Sequence, residues 1–382
     1  MTGIAVLGST GSIGLQTLDV IRAAPNRYRL VGLAAGHGGG ALQAQTREWP
    51  EASVWAADGR PEGVSPRRWM DGGLEELSTA DGVDLVLVAT TGMTALPAVL
   101  AALRTGRRVA LANKETLVTG GHLVDALLPA DWESRLDRLR PVDSEHSAIW
   151  QCLRGERLED VERLILTASG GPFRDRIPAD LVDVTPADAL AHPTWQMGPK
   201  ITIDSATLVN KAFEAIEAKW LYDLPYPKIA AVLHPGSVVH SLVEFVDGSF
   251  KAQLGLPDMR LPIQFALSYP ERHAGPARVA APESWDPLTF APLDPTRYPA
   301  YAAVRSAAEA GGNRGVILNA ADEVAVAGFL GGAVPFTGIA PLLERAVDRW
   351  GVDAEPALNQ VIELDAEVRT SLRADIGLKE DR

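Results

Sequence analysis

The chain has 382 residues, of which 46% are hydrophobic and 22% charged, and a formal net charge of -13 at pH 7. This length and composition predict two or three domains with full hydrophobic cores. The acidic charge argues against nucleic acid or an anionic membrane as the main partner, so a phosphate group would have to be bound by a local cluster of donors. The single cysteine, Cys152, excludes an intrachain disulfide and fits a reducing cytosol. With neither a membrane-spanning run nor a basic leader visible, we expect a cytoplasmic protein.

The first 125 or so residues alternate between strand-like and helix-like patterns. The apolar runs that resemble strands are residues 4–7, 30–35, 85–89 and 109–112. Apolar strands that alternate with helices are typical of a parallel sheet covered by helices on both faces.

A glycine-rich turn follows the first strand. Gly8, Gly11 and Gly14 come between that strand and a helix predicted to begin near Ser12. Glycine allows the tight turn and the close approach of a pyrophosphate, and the helix N-terminus offers N–H groups to the phosphates. In this order of strand, turn and helix, the pattern favours a dinucleotide over a plain turn.

The end of the second predicted strand bears on which dinucleotide is bound. NAD-binding sheets usually place an acidic residue there, for the ribose hydroxyls. Residues 34–38 contain no acid, which disfavours NAD, and no Arg or Lys either. His37 is the nearest candidate for a 2′-phosphate contact and Arg47 a remote one. We therefore expect NADP.

The middle of the chain changes character. Residues 161–168 predict another strand, and the proline-rich segment 186–199 is either a packed loop or a flap whose Trp195 and Met197 close over a ligand. Residues 237–246 and 249–254 alternate around Asp247-Gly248, which predicts a β-hairpin and a candidate dimer-forming sheet.

The last third is predicted to be helical. A proline-rich linker at 270–299 precedes helical patterns at 300–310, 316–330, 339–350 and 357–373. The predicted fold is α/β, with a Rossmann-like NADPH-binding domain at 1–142, a central α+β domain at 143–270 that contains the candidate flap, a linker at 271–299 and a helical domain at 300–382.

Acidic and basic residues recur in two further motifs. Asp143 and Glu145 lie one residue apart and would point the same way in an extended segment, and they still could in an irregular loop. A helix predicted at 206–222 places Asn210, Lys211 and Glu214 on one face. Three carboxylates suit Mg²⁺ or Mn²⁺. The alternative is a solvated helix face with two stray carboxylates.

An anion would need small donors and cations. Ser169, Ser205, Asn210 and Lys211 form such a set. Lys114 follows a predicted strand at the carboxyl edge of the sheet, where open parallel sheets bind ligands. His146 either orients a metal ligand or is an ordinary loop histidine.

Together, these motifs resemble the 1-deoxy-D-xylulose 5-phosphate reductoisomerase family. The resemblance extends over almost the whole chain, through residues 8–14, 113–115, 143–146, 167–173, 192–195, 197–198, 204–214 and 234–240. One departure is that the family usually has a basic or polar residue and then Asn after Gly36, whereas this chain has His37 and Gly38.

The resemblance implies the reaction and its residues. It implies rearrangement of 1-deoxy-D-xylulose 5-phosphate and hydride reduction to 2-C-methyl-D-erythritol 4-phosphate for isoprenoid synthesis, with NADPH, one Mg²⁺ or Mn²⁺ and a homodimer. It implies metal ligation by Asp143, Glu145 and Glu214, which with Lys114 are the predicted catalytic residues. The implied NADPH contacts are Thr10, Gly11, Ser12, Ile13, Gly36, His37, Asn113, Glu115 and Gly198. The implied substrate contacts are Lys114, Ser144, Glu145, Ser169, His192, Trp195, Ser205, Asn210, Lys211 and Glu214.

Two other functions compete with this hypothesis. A semialdehyde dehydrogenase has a similar glycine motif but needs a nucleophilic cysteine, and Cys152 lies in an apolar helical context better explained as core. A cofactor-sensing binding protein without turnover would have no need of three acidic residues together.

Overall fold

The computed structural model describes residues 1–191 and 197–378, which form two compact units. The first unit contains residues 1–116, 123–154 and 258–279. The second contains residues 117–122, 155–257 and 280 onward. The domain boundaries predicted at 142, 270 and 299 stay a prediction.

A six-stranded parallel sheet lies at the centre of the first unit, with strand order β3-β2-β1-β4-β5-β6. This is the doubly wound order of dinucleotide-binding sheets. The β4 strand and most of β1 are fully buried, as expected of strands with helices on both faces. The strands are β1 (Thr2–Leu7), β2 (Tyr28–Ala35), β3 (Ser53–Ala56), β4 (Leu85–Val88), β5 (Arg108–Leu111) and β6 (Leu139–Pro141).

The four strands predicted in this region are confirmed within two residues at each end. The short strands β3 and β6 were not predicted. The β3 strand has a half-buried pattern of only four residues, and β6 has three residues and ends on a proline. Such short segments carry little periodic signal.

Fifteen α-helices are present in the described part of the chain. They are α1 (Ser12–Ala23), α2 (Gly40–Glu48), α3 (Gly73–Thr79), α4 (Leu96–Arg104), α5 (Glu115–Asp125), α6 (Trp132–Arg138), α7 (Ser144–Leu153), α8 (Pro186–Leu190), α9 (Pro199–Thr207), α10 (Val209–Tyr222), α11 (Arg260–Ser268), α12 (Pro299–Ala310), α13 (Arg314–Leu330), α14 (Ile339–Trp350) and α15 (Leu358–Asp375).

A mixed five-stranded sheet is built into the second unit, in the order β10-β9-β7-β8-β11. The β9 and β10 strands pair antiparallel, with Phe250 opposite Glu244, which confirms the predicted hairpin. Gly248 has φ 83°, as a tight turn at this place requires. The strands are β7 (Val161–Ala168), β8 (Ile229–Leu233), β9 (Val239–Phe245), β10 (Phe250–Leu254) and β11 (Ala291–Pro292).

In the second unit, the observed helices match the predicted ones in the last third of the chain and differ from them in the middle. All four predicted C-terminal helices are confirmed, since α12 to α15 begin and end within two residues of the predicted bounds. The α14 helix buries Ile339, Leu342, Leu343 and Ala346 along one face, which is the spacing that a core-facing helix needs.

The single helix predicted at 206–222 is wrong. Leu208 has φ 58° and ends α9, and α10 begins at the next residue. The segment 186–199 also contains more structure than a loop, because α8 occupies its start and α9 begins at Pro199. None of the described helices combines the length and apolarity needed to cross a membrane.

Candidate functional site

In the first unit, the predicted glycine turn has the geometry of a dinucleotide site. Gly8 has φ 88°, and a Cβ at this position would lie 2.4 Å from the carbonyl oxygen of Ala89. A Cβ on Gly14 would lie 2.2 Å from the carbonyl oxygen of Gly8. The α1 helix then begins at Ser12, and no side chain in the described part of the chain caps it. Glycine at positions 8 and 14 therefore permits the tight turn and the close packing of α1 against it, and this geometry suits the binding of a pyrophosphate at the helix N-terminus.

Asn113, a predicted cofactor contact, ties together the loops that follow β4 and β5. Its amide nitrogen donates to the carbonyl oxygens of Thr90 (2.8 Å) and Gly92 (2.7 Å) and to Glu115 Oε2 (3.1 Å). Its amide oxygen accepts from the backbone N–H of Thr116 at 2.9 Å. Asn113 thus fixes this part of the carboxyl edge of the sheet.

Lys114 is paired with Asp143 within the first unit. Its Nζ lies 2.7 Å from Asp143 Oδ2, and the two side chains are only 9% and 16% exposed. An ion pair this far from solvent is attracted more strongly than a surface pair, and removing one partner leaves the other charge poorly solvated. The Lys114 ammonium is therefore held in one place.

Asp143 and Glu145 lie at the start of a helix, neither in an extended segment nor in an irregular loop. Asp143 is the N-cap of α7, and its Oδ1 accepts from the N–H of Ser144 at 2.9 Å. Glu145 lies in the first turn of α7 and accepts a hydrogen bond from the Ser144 hydroxyl. Both carboxylates therefore stand at a helix N-terminus, where the dipole favours negative charge.

His146 and Cys152 also lie on α7. His146 is fully buried in the helix and is not in a loop. Cys152 is buried, as its apolar helical context predicted.

The acidic and basic residues of α10 form a buried cluster in the second unit. Glu214 Oε1 accepts from Asn210 Nδ2 at 2.5 Å, and Glu214 Oε2 lies 2.5 Å from Lys211 Nζ. The side chains of Lys211 and Glu214 are 3% and 1% exposed. The alternative of a solvated helix face is therefore wrong. Residues three and four apart do share one helix face, and here that face is buried.

The predicted anion donors Ser169 and Ser205 lie on neighbouring elements of the second unit. Ser169 follows β7, and its hydroxyl accepts from the N–H of Gly171 at 3.3 Å. Gly171 has φ 68°, and a Cβ there would lie 2.6 Å from the carbonyl oxygen of Ser205. The loop after β7 therefore packs directly on the C-terminal half of α9.

Sequence reasoning missed Lys200. Its Nζ lies 2.7 Å from Asp204 Oδ2 and 2.8 Å from Asp322 Oδ2. The i,i+4 spacing of Lys200 and Asp204 was a visible signal, whereas the contact with Asp322 on α13 was not.

Part of the predicted flap cannot be compared with the structure. His192 and Trp195 lie outside the described residues. Met197 is half-buried, and Gly198 is the exposed N-cap of α9.

These features define a class before any comparison is made. A doubly wound parallel sheet with a glycine-rich turn after its first strand, together with buried carboxylate and ammonium clusters, is typical of a dinucleotide-dependent α/β oxidoreductase.

Comparisons with known proteins narrow this class to one family. Sequence profiles of the 1-deoxy-D-xylulose 5-phosphate reductoisomerase match residues 4–121, and profiles of its C-terminal domains match residues 139–222 and 254–371. A 1-deoxy-D-xylulose 5-phosphate reductoisomerase of Pelotomaculum thermopropionicum is 46% identical over 96% of each chain. One of Geobacillus kaustophilus is 46% identical over 98% of this chain and 99% of its own.

Solved structures agree. A DOX-P reductoisomerase in complex with NADPH, fosmidomycin and magnesium has a TM-score of 0.86 and 35% identity over 99% of both chains. The Zymomonas mobilis enzyme in complex with NADPH has a TM-score of 0.84 and 36% identity over 98% of this chain and 99% of its own. The chain belongs to the 1-deoxy-D-xylulose 5-phosphate reductoisomerase family, and the predicted family and α/β fold are confirmed.

Proposed function

We propose a residue-level assignment for the reaction of this family in this chain. The chain is an NADP-dependent oxidoreductase that converts 1-deoxy-D-xylulose 5-phosphate to 2-C-methyl-D-erythritol 4-phosphate in the non-mevalonate pathway to isoprenoids. It uses NADPH and one divalent ion. The observation that carries the assignment is that Lys114, Asp143, Lys211 and Glu214, all singled out from sequence, are charged side chains held away from solvent.

The cofactor is assigned to the glycine turn and to the loops at the carboxyl edge of the sheet. The steric demand for glycine at positions 8 and 14 supports this assignment. The assigned contacts are Thr10, Gly11, Ser12, Ile13, Gly36, His37, Asn113, Glu115 and Gly198.

The divalent ion is assigned to Asp143, Glu145 and Glu214. Carboxylate oxygens are the ligands that Mg²⁺ and Mn²⁺ prefer, and we propose that either ion serves. When bound, such an ion polarises carbonyl and hydroxyl oxygens of a substrate. Asn210 and Lys211 hold the Glu214 carboxylate in one orientation, and Ser144 does the same for Glu145.

The substrate is assigned to a set of hydroxyl, amide and ammonium donors. Ser169, Ser205, Asn210 and Lys211 bind its phosphate, which gives binding energy remote from the reacting carbons. Lys114 places a positive charge near the reacting oxygens, because Asp143 fixes its ammonium. The remaining assigned contacts are Ser144, Glu145, His192, Trp195 and Glu214.

An NADPH oxidation assay tests this assignment. Wild-type protein should consume NADPH with the ketose phosphate and Mg²⁺ and stop when a chelator is added. Glu214→Gln should reduce turnover by about a hundredfold or more, because a neutral amide is a poor ligand for a hard cation. NADPH affinity should change by less than about threefold, since the substitution leaves the glycine turn intact.

The matched control is Glu363→Gln, because Glu363 is an exposed glutamate of α15. This control should keep full turnover. Wild-type turnover in Glu214→Gln, with the metal present, would contradict the metal assignment. Protein that binds NADPH but never oxidises it would favour the cofactor-sensing alternative.

Assembly and location complete the proposal. We propose a cytoplasmic homodimer that forms through the sheet of the second unit. The β10 strand is an edge strand with an exposed Phe250, and its partner strand is followed by the exposed Val246. Unpaired edge strands with apolar side chains favour association. Light scattering should give twice the chain mass, and Phe250→Lys should shift it toward the monomer.

A further inference from the structure

We propose that Asp58 determines how strongly this chain prefers NADPH over NADH. The inference rests on the proposed cofactor and names a residue that the family pattern did not supply. The loop after β2 departs from the family pattern, because His37 and Gly38 follow Gly36 in place of the usual basic or polar residue and Asn.

The loops after β2 and β3 lie side by side in the first unit. The two strands are parallel and in register, with Ala34 opposite Trp55 and Ala35 opposite Ala56. The N–H of Ala57 donates to the carbonyl oxygen of Ala35 at 3.2 Å, which continues the pairing one residue further. Residues 36–38 and 57–59 therefore occupy the same carboxyl edge. In sheets with this strand order, the adenosine ribose is bound at the end of the second strand.

Asp58 is fixed at this edge by two contacts. Its Oδ1 accepts from the backbone N–H of Gly38 at 2.7 Å, and its Oδ2 lies 3.5 Å from His37 Nδ1. The Asp58 side chain is 48% exposed and that of His37 is 91% exposed. The carboxylate is thus held in place and still open to a ligand.

This arrangement places an acid beside the loop after β2, whose own residues 36–38 contain none. NAD-binding sheets place the ribose-binding acid at the end of the second strand, and here the third strand supplies a carboxylate to the same edge. A carboxylate accepts hydrogen bonds from the free ribose hydroxyl of NADH but repels the 2′-phosphate of NADPH. His37 Nδ1 lies beside the same carboxylate, and its exposed ring can donate a hydrogen bond to a phosphate oxygen.

A purely structural role for Asp58 makes a different prediction. In that case the carboxylate only holds the loop through Gly38, and its charge is irrelevant. Asp58→Asn separates the two roles, because the amide oxygen can still accept from the Gly38 N–H whereas the negative charge is removed.

The test is a titration of the full chain with NADPH and with NADH, followed by cofactor fluorescence, in the absence of substrate and metal. Asp58→Asn should tighten NADPH binding by roughly threefold to tenfold and weaken NADH binding by roughly twofold to fivefold, because the ribose hydroxyl of NADH loses a charged acceptor. The gain should shrink as salt is raised, because added ions screen the charge. His37→Lys, a second variant that adds positive charge at the same place, should also raise the preference for NADPH.

Asp81→Asn is the matched control. Asp81 is an exposed residue that precedes β4, so it lies toward the opposite edge of the sheet, and its substitution makes the same change in net charge. An unchanged ratio of NADPH to NADH affinity in folded Asp58→Asn would overturn the inference, as would an equal effect of Asp81→Asn. Failure of the proposed function would give a different result. The wild-type chain would then not oxidise NADPH with the ketose phosphate and Mg²⁺, whatever the ratio of its NADPH and NADH affinities.

Discussion

Lys200 offers a direct test of how much a buried charge cluster stabilises the second unit. Its ammonium bridges α9 and α13 by contacting Asp204 and Asp322, whose side chains are 1% and 0% exposed. Lys200→Met keeps much of the side-chain volume and removes the positive charge. Each carboxylate then loses its contact with the ammonium at a place that water does not reach.

The expected loss of unfolding free energy depends on how deeply Lys200, Asp204 and Asp322 are buried. Breaking a buried ion pair from one side costs about 3 to 5 kcal/mol, because it leaves a charge that is neither solvated nor paired. Two carboxylates lose a partner here, but the Lys200 side chain is itself 28% exposed, so solvent already weakens the pairing. We therefore expect about 3 kcal/mol. For a unit of this size, that loss lowers the melting temperature by roughly 6 to 12 °C.

Thermal and urea unfolding of Lys200→Met measure the loss. The matched control is Arg349→Met, because Arg349 pairs with Asp375 on the surface of the second unit, where both side chains are 53% exposed. Surface pairs contribute about 1 kcal/mol or less. Adding Asp322→Asn to Lys200→Met should recover part of the lost stability, since one buried charge is then neutralised. Equally small changes in melting temperature for Lys200→Met and Arg349→Met would refute the reasoning.

Three further predictions concern other parts of the chain. Burial alone would raise the pKa of Asp258, but hydrogen bonds from the Arg260 side chain and from backbone N–H groups outweigh it and lower that pKa to about 2. The ionised Asp258 therefore stabilises the fold above its unfolded-state pKa of about 3.9, and this stabilisation is lost as the pH falls toward about 2. Asp258→Asn should be less stable than wild type by roughly 1 to 2 kcal/mol at pH 7. In unfolding titrations, this difference in stability should shrink below about pH 4. Gly14→Ala should weaken NADPH binding by about tenfold or more, because its Cβ meets the carbonyl oxygen of Gly8, whereas Gly40→Ala, with open space around its Cβ, should bind NADPH normally. Cys152→Ala should retain NADPH oxidation within about twofold, since a buried core thiol has no part in the chemistry; abolished turnover in a folded variant would favour the semialdehyde dehydrogenase alternative.

The local elements were largely determined by the sequence. The glycine turn, the helix that begins at Ser12, the hairpin at Asp247-Gly248 and the amphipathic α14 each depend on residues close together in the chain. Turn chemistry and hydrophobic period act over a few residues, so they can be predicted without knowledge of the rest of the fold.

The prediction was wrong where the end of a helix has no local sequence signal. Residues 206–222 show helical periodicity, and no glycine or proline marks Leu208, yet Leu208 takes the left-handed conformation and separates α9 from α10. Leu208 is buried with Ala168 and Tyr298, which are far away in the chain. Asp143 differs, because an Asp before a helix with Glu in its first turn is a local helix-start signal that the prediction did not use.

Only the tertiary structure decided which charged side chains are buried and which side chains they contact. Sequence spacing placed Lys211 and Glu214 on one helix face, but it could not show that this face is buried. The sequence did not indicate that Asp322 contacts Lys200. It also did not indicate that Asp58, which follows the third strand, accepts a hydrogen bond from the loop after the second strand. Burial and long-range pairing depend on how the whole chain packs, and the electrostatic strength of each pair depends in turn on that burial.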